Sequence, residues 1–382
     1  MRLLDRYVIR NFLQAYVYCI VGFISIWLIY DISDNISTFL DAKVRFTSVI
    51  KYYLLQTPQI LVVLLPVSLL LALLFSLGRM SRANEIVSML TAGIGIPRLL
   101  APLIAVGLLT TGVSMALNFS LAPHAEQARK TVLEVHAAQR EAGITGQVFR
   151  NRSDNRTWFI SQFRPGDNIF RSVQVLQEDE QGHIVKNYVA TDASYHPENH
   201  TWEFHLGKLV RYDEHGNIIG GNDEIFGSLV VNDWSETPFR LASANMQPDF
   251  LSVPELQEYL RSNADFPHSL LAPFATQLQN RLALPWACLL VVFIGAPLGI
   301  GYSRRGVLAS VASAIALIFS MNFLTHLFLA LGEGARISPV LAAWTPNLLF
   351  AVVGLLLLYF RATNRELPKW NLFAARRLAV AR

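Results

Sequence analysis

Six uninterrupted apolar runs constrain this chain more than any other feature. They are Phe12–Tyr30, Ile60–Leu77, Leu99–Leu121, Leu282–Tyr302, Val307–Leu331 and Pro339–Phe360, and none contains Lys, Arg, Asp or Glu. Each is long enough, or nearly so, to cross about 30 Å of hydrocarbon as a helix. Charged residues make up 16% of the chain and hydrophobic ones 52%, against roughly 25% charged in soluble domains. That excludes a wholly soluble globular enzyme. The 11% aromatic content excludes a disordered chain. Cys19 and Cys288 both lie inside apolar runs, which leaves no disulfide framework and no cysteine-based zinc site. Arg2, Arg6 and Arg10 precede the first run as in a signal peptide. The run is too long for a signal core and no small-residue cleavage site follows, so it reads as a retained span.

Orientation follows from the basic residues. With the N-terminus in the cytoplasm, the inside segments hold fourteen Lys/Arg against three acids, Asp5, Glu85 and Glu366. Both termini are therefore expected inside. The long segment 122–280 is expected outside and carries thirteen Lys/Arg and twenty-one Asp/Glu. Its start, Pro123–Arg140, reads as helix. Short alternating runs then follow between turn clusters: Thr157–Phe163, Ser172–Leu176, Ile184–Ala190, Thr201–His205 and Lys208–Tyr212. This spacing suggests an antiparallel sandwich or jelly roll. Ser252 and Glu255 form a capping-box pattern for a later helix. The expected fold is an α-helical membrane protein with six transmembrane helices and an inserted periplasmic all-β, jelly-roll-like domain. Residues 1–121 form spans one to three, 122–280 the β domain, and 281–382 spans four to six with a cytoplasmic C-terminus.

The sequence contains no phosphate-cradling P-loop, so work against a gradient needs a partner or an ion. The best internal candidate for a partner contact is the cytoplasmic loop Gly78–Arg98. Ser81 reads as an N-cap, residues 82–92 as a short helix, and Gly93 as its stop. Ile86, Met89 and Leu90 share one face, with Arg82 and Glu85 beside it, and such a face can dock in a groove on a soluble partner or lie on the membrane. In the fourth span, the Gly295 and Gly299 spacing permits close helix approach. In the fifth, Ala309, Ser310, Ala312 and Ser313 form a small-residue stretch. Polar residues in the spans are few: Asn118, Asn322, His326 and Asn347. A lone His326 reads as a hydrogen-bonded packing residue before a proton relay. His196, His200 and His205 flank a turn and strand without helical metal-site spacing.

Several motifs, in order, resemble the LptF/LptG family of lipopolysaccharide export permeases. They are Leu4-Asp5-Arg6-Tyr7, Gly78-Arg79-Met80-Ser81-Arg82 with Glu85-Ile86 and Ala92-Gly93, and Ala122-Pro123 with Glu126-Gln127. Asp249, Leu251, Ser252 and the helix to Tyr259 follow, and then Pro297-Leu298 with Arg304-Arg305-Gly306. The resemblance covers essentially the whole chain, and the Asp5 opening, the Ala122-Pro123 passage and the Asp249–Tyr259 region lie nearer the LptG half. It implies a permease without its own ATPase site or cofactor. Two related permeases pair, and a cytoplasmic ABC ATPase dimer supplies ATP and Mg. Lipopolysaccharide leaves the inner membrane through lateral gates at the first and fifth spans and passes to periplasmic jelly-roll bridge proteins. The loop helix becomes the coupling helix, with Glu85 as its acidic residue.

One departure concerns the lipid phosphates. Where well-known members carry a basic residue near the outer end of the first span, this chain has Asp31. Lys43, Arg45 and Lys51 are the basic residues of the following outer loop, and are expected either to receive the headgroup or to offset Asp31, Asp34 and Asp41 in a solvated loop. Two rival readings are a membrane-anchored envelope scaffold, which predicts no ATPase association, and an ABC permease for another lipid or lipoprotein, which usually has four spans.

Overall fold

A computed structural model describes residues 3–41, 46–123, 125, 144–163, 169–213, 215–219, 224–242, 246–300 and 306–363. The chain forms two compact units, one built from residues 1–41, 53–125 and 276–382, the other from 42–52 and 126–275.

The first unit is helical. Among the described residues six helices are long and apolar enough to cross a membrane. Helix α1 (Leu3–Asp41) and α2 (Phe46–Arg82) outrun the apolar stretches that define them, because the backbone ladder continues once the chain enters water. The short α3 (Glu85–Thr91) precedes α4 (Ile96–Ala116), which runs into a π turn, Leu117–Leu121. The fourth crossing is α7 (His268–Ala283) and α8 (Ala287–Gly299), joined by a tight turn at Leu284–Trp286. Pro285 lies in that turn and cannot donate to the α-helical ladder. Helices α9 (Gly306–Glu333) and α10 (Pro339–Ala362) complete the set.

The unit is centred on α2, α4 and α8. Phe12, Leu69, Leu73, Leu77, Leu99, Leu103 and Val292 are all within 1% of full burial and belong to one cluster. Glycine sets the helix spacing. A Cβ on Gly295 would lie 2.6 Å from Leu70, and one on Gly299 would lie 3.0 Å from the Leu77 Cβ. The expected close-approach face therefore packs on α2. On the α4 side, a Cβ on Gly107 would lie 2.6 Å from Val292.

The second unit is built on one antiparallel sheet in sequential order: β1 (Ile144–Asn151), β2 (Arg156–Phe163), β3 (Ile169–Glu178), β4 (Ile184–His196), β5 (Thr201–Arg211) and β6 (Glu224–Val231). The runs Thr201–His205 and Lys208–Tyr212 are one strand, and β1 and β6 add two the sequence pattern did not mark. Alternate residues such as Phe149, Trp158, Phe170, Val175, Tyr188 and Trp202 are buried together, the period-two signature of a one-sided sheet. Trp158 on β2 and Trp202 on β5 have ring centroids 4.8 Å apart. Three strand steps on a flat sheet would separate them by roughly 14 Å, so the sheet is rolled. Gly207 permits this closeness: a Cβ there would lie 2.7 Å from the Phe226 ring and collide with the Val189 carbonyl.

Helix α5 (Pro238–Ala242) closes the rolled sheet with Leu241, whose carbonyl accepts from Gln147 Nε2. Beside it is a buried ionic clasp. Fully buried Glu236 accepts from Arg156 Nε at 2.9 Å, Arg156 Nη2 at 3.0 Å and Asn151 Nδ2 at 2.7 Å. The Arg156 guanidinium stacks 4.7 Å from the Trp234 ring centre and also pairs with Asp154. Burial pushes the Asp154 carboxyl up, but the Ser235 hydroxyl, Arg156, Asn151 and Arg240 outweigh it and hold the group below the usual range. Helix α6 (Val253–Ser262) starts with the expected capping box, Ser252 N–H donating to Glu255 at 2.8 Å and Glu255 N–H donating to the Ser252 hydroxyl. Of the helix expected over Pro123–Arg140, all but Pro123 and Ala125 falls outside the described residues.

Candidate functional site

The loop between α2 and α4 carries the site residues expected for partner contact, and the structure redraws it. The helix is Glu85–Thr91 rather than 82–92. Ser81 does not cap it, since α2 continues through Arg82. Asn84 makes the break, in the left-handed region at φ 59°, which Asn tolerates better than most residues. The other end is as expected. Gly93 is left-handed at φ 82°, its N–H reaches the Leu90 carbonyl, and the Ile94 N–H reaches Met89, both at 3.0 Å.

The apolar face is packed against the chain's own helices. Ile86 is 1% exposed and belongs to the main membrane cluster, and Met89 and Leu90 pack against the same cluster. That face packs α3 against its own spans. The face left for a partner is polar and small: Arg82, Ala83, Asn84, Ser88 and Thr91, with Val87, are exposed.

Glu85 is half-buried and accepts from the Tyr7 hydroxyl at 2.9 Å. Two turns of loop away, Arg98 pairs with Asp5 at 3.1 Å. The opening Leu4-Asp5-Arg6-Tyr7 and the loop motif, far apart in sequence, therefore meet. Tyr7, Asp5 and Arg98 position this loop, and no local pattern marks them as its partners.

Of the three expected headgroup residues, Lys43 and Arg45 lie outside the described residues, and Lys51 is exposed on α2. Asp31 faces α2, where its Oδ1 is 3.5 Å from Gln56 Nε2. Ala309, Ser310, Ala312 and Ser313 occupy the first turns of α9, with Ala312 exposed. The two helices expected to form a gate share one property. The most apolar windows of α1 and α9 are each 17% buried, against 33–67% for the other four. Val17, Val21 and Ile29 on α1, and Phe319 and Phe323 on α9, are exposed.

The polar residues of the spans are not scattered. Asn118 donates to the Arg281 carbonyl at 2.8 Å and accepts from the Arg281 guanidinium at 3.3 Å. Asn322, His326 and Asn347 line one cavity of about 270 Å³, together with Asn280. In the β unit His196 and His205 both pair with Glu203, His205 through Nδ1 at 3.8 Å, while His200 stands apart from it. His196 reaches Glu203 at 3.0 Å, His205 the Ser194 hydroxyl at 3.2 Å, and His200 the Tyr195 hydroxyl at 2.9 Å.

Six helices long and apolar enough to cross a membrane, a loop helix seated on them and an inserted rolled sheet make this a helical multi-pass membrane protein with an inserted β domain. A family model for the lipopolysaccharide export system permease LptF/LptG matches residues 6–359. The chain belongs to that family, and so to the permease component of a lipopolysaccharide transport system in the inner membrane. No curated protein matches the chain.

Proposed function

We propose that the chain is one of two permease subunits of an ABC-type exporter that lifts lipopolysaccharide out of the inner membrane, with ATP hydrolysed by a cytoplasmic ATPase dimer bound at the α3 loop. The observation that carries this reading is the pair of contacts Tyr7–Glu85 and Asp5–Arg98. They join the loop helix to the start of α1, one of the two least covered spans. A displacement of α3 by an ATPase thus reaches the packed start of α1, where Val8 and Phe12 are buried, and through it the barely covered remainder of that span.

The bare faces of α1 and α9 suit a second permease, with a lateral gate where the two subunits meet. In this reading the small residues from Ala309 to Ser313 let the gate part, and Lys43, Arg45 and Lys51 receive the phosphorylated headgroup. The charge split along the chain supports a cytoplasmic place for both termini and α3 and a periplasmic one for the β unit, where in this reading it hands lipid to jelly-roll bridge proteins. No cofactor is required of this chain.

The test is Glu85→Lys, studied with the second permease and the ATPase. A buried interfacial charge that loses its partner costs about 2–5 kcal/mol. The variant should stay in the membrane but lose ATPase co-purification or lipopolysaccharide-stimulated ATP hydrolysis. Wild-type export and stimulation in this variant would remove the coupling role.

A further inference from the structure

A cavity lies among α2, α7, α8, α9 and α10. Its character is set by six residues: Val63 and Pro66 on α2, Asn280 on α7, Asn322 and His326 on α9, and Asn347 on α10. Asn322 and His326 are four residues apart and share a helix face. Asn322 Nδ2 donates to its own Ile318 carbonyl at 3.1 Å, and Asn347 Nδ2 to the Ala283 carbonyl at 2.7 Å. Each amide uses one N–H this way. A second N–H and a carbonyl oxygen remain on each, and the exposed His326 ring adds one donor and one acceptor when neutral. Lys, Arg, Asp and Glu are absent from the lining.

We propose that this cavity is a binding site for the neutral linkage region of a membrane lipid, where ester or amide carbonyls and acyl hydroxyls join the headgroup to its chains. Three arguments select this class. The donors and acceptors are mixed and no Lys or Arg stands among the described lining residues, which suits carbonyls and hydroxyls better than a phosphate or carboxylate, whose charge would meet no ammonium or guanidinium there. Depth agrees. Helix α9 has 28 residues, about 42 Å, close to the thickness of a bilayer with its headgroups. His326 lies seven residues before the end of α9 and Asn347 eight after the start of α10, so both sit about 10–12 Å below the same surface. That is about 4–6 Å inside the hydrocarbon boundary and below the phosphates, with Asn322 about one turn deeper. Finally, an exposed imidazole and two part-used amides at that depth are costly unless something answers their hydrogen bonds. At about 270 Å³ the cavity is near the lower limit for a ligand pocket. It holds one linkage segment and leaves the rest of the lipid outside.

The measurement of this site does not depend on the ATPase. The full-length chain is reconstituted in nanodiscs of phosphatidylethanolamine alone, or of phosphatidylethanolamine with lipopolysaccharide. Lipid retained after detergent exchange is counted by native mass spectrometry. Wild type should keep one lipid per chain in at least one arm. Retention of phosphatidylethanolamine assigns the site to ester carbonyls, and retention of lipopolysaccharide alone assigns it to hydroxyacyl amides. The double variant Asn322→Leu with His326→Leu should lower retention at least fivefold, while His326→Gln, which keeps hydrogen bonding, should preserve it. If the double variant fails to insert, Val63→Trp fills the cavity from the opposite wall and should give the same loss. Equal retention in wild type and variants, or a wild-type chain that keeps only water there, overturns the proposal. Since no ATP or partner enters the measurement, that result leaves the export reading untouched. Lost export in a chain that still holds lipid here would count against the export reading alone.

Discussion

Replacing Glu236 by Ala tests whether the buried clasp or the apolar roll holds the β unit together. The carboxylate is fully buried and accepts three hydrogen bonds, two from Arg156 and one from Asn151. Asn151 keeps Asp154 and Ser235 as partners at 3.0 and 2.9 Å. Arg156, whose side chain is 8% exposed, keeps only the edge partner Asp154 and the Trp234 face. Removing one member of a buried pair in this way costs about 3–5 kcal/mol. For a unit of about 150 residues that is a fall in Tm of roughly 6–20 °C. The same reasoning sets the control. With Arg156→Met added to Glu236→Leu, no charge of the pair is stranded, and the unit should recover to within about 2 kcal/mol of wild type. Thermal unfolding of the full-length protein, followed by protease cleavage between β1 and β6, measures both. A single variant as stable as wild type, or a double variant no better than the single one, refutes the reasoning and assigns the stability to the aromatic core.

Asp154 gives the pH dependence. Its folded pKa is depressed, so its contribution is full above the unfolded value of about 4 and is lost as pH falls through the lower folded value; protease resistance of the β unit should hold from neutral to about pH 4 and decline below it, and Asp154→Asn should flatten that decline. Gly299→Ile should push α8 off Leu77, whose rigid Cβ is 3.0 Å from where the new one would stand, and cost about 1–3 kcal/mol or more; an unchanged melting temperature in detergent would show that the two helices are not packed this way.

The spans were legible because a charge-free run admits few other folds in water or lipid. Their ends were less so. Helix α1 begins at Leu3 and ends at Asp41, well beyond Phe12 and Tyr30, since hydropathy marks the membrane and not the helix. The Ser252 box was legible because both partners lie within one turn. At the candidate site, periodicity gave the apolar face of Ile86, Met89 and Leu90 but not what it covers, and a helix face carries no mark distinguishing its own core from a partner. Asn84 was the missed signal: an Asn just before Glu85 is well suited to a left-handed break. The contacts Tyr7–Glu85 and Arg156–Glu236 span 78 and 80 positions, and no local rule reaches that far. Asn322, His326 and Asn347 were visible one by one, but their convergence depends on helix rotation.

The Asn118–Arg281 contact has a mechanical consequence. These residues stand where the chain leaves the helical unit for the inserted segment and where it returns, and two hydrogen bonds hold the points together. The insertion therefore leaves and re-enters through a clamped neck. The clamp ties the end of α4 to α7, next to the seam where Gly107 on α4 meets Val292 on α8.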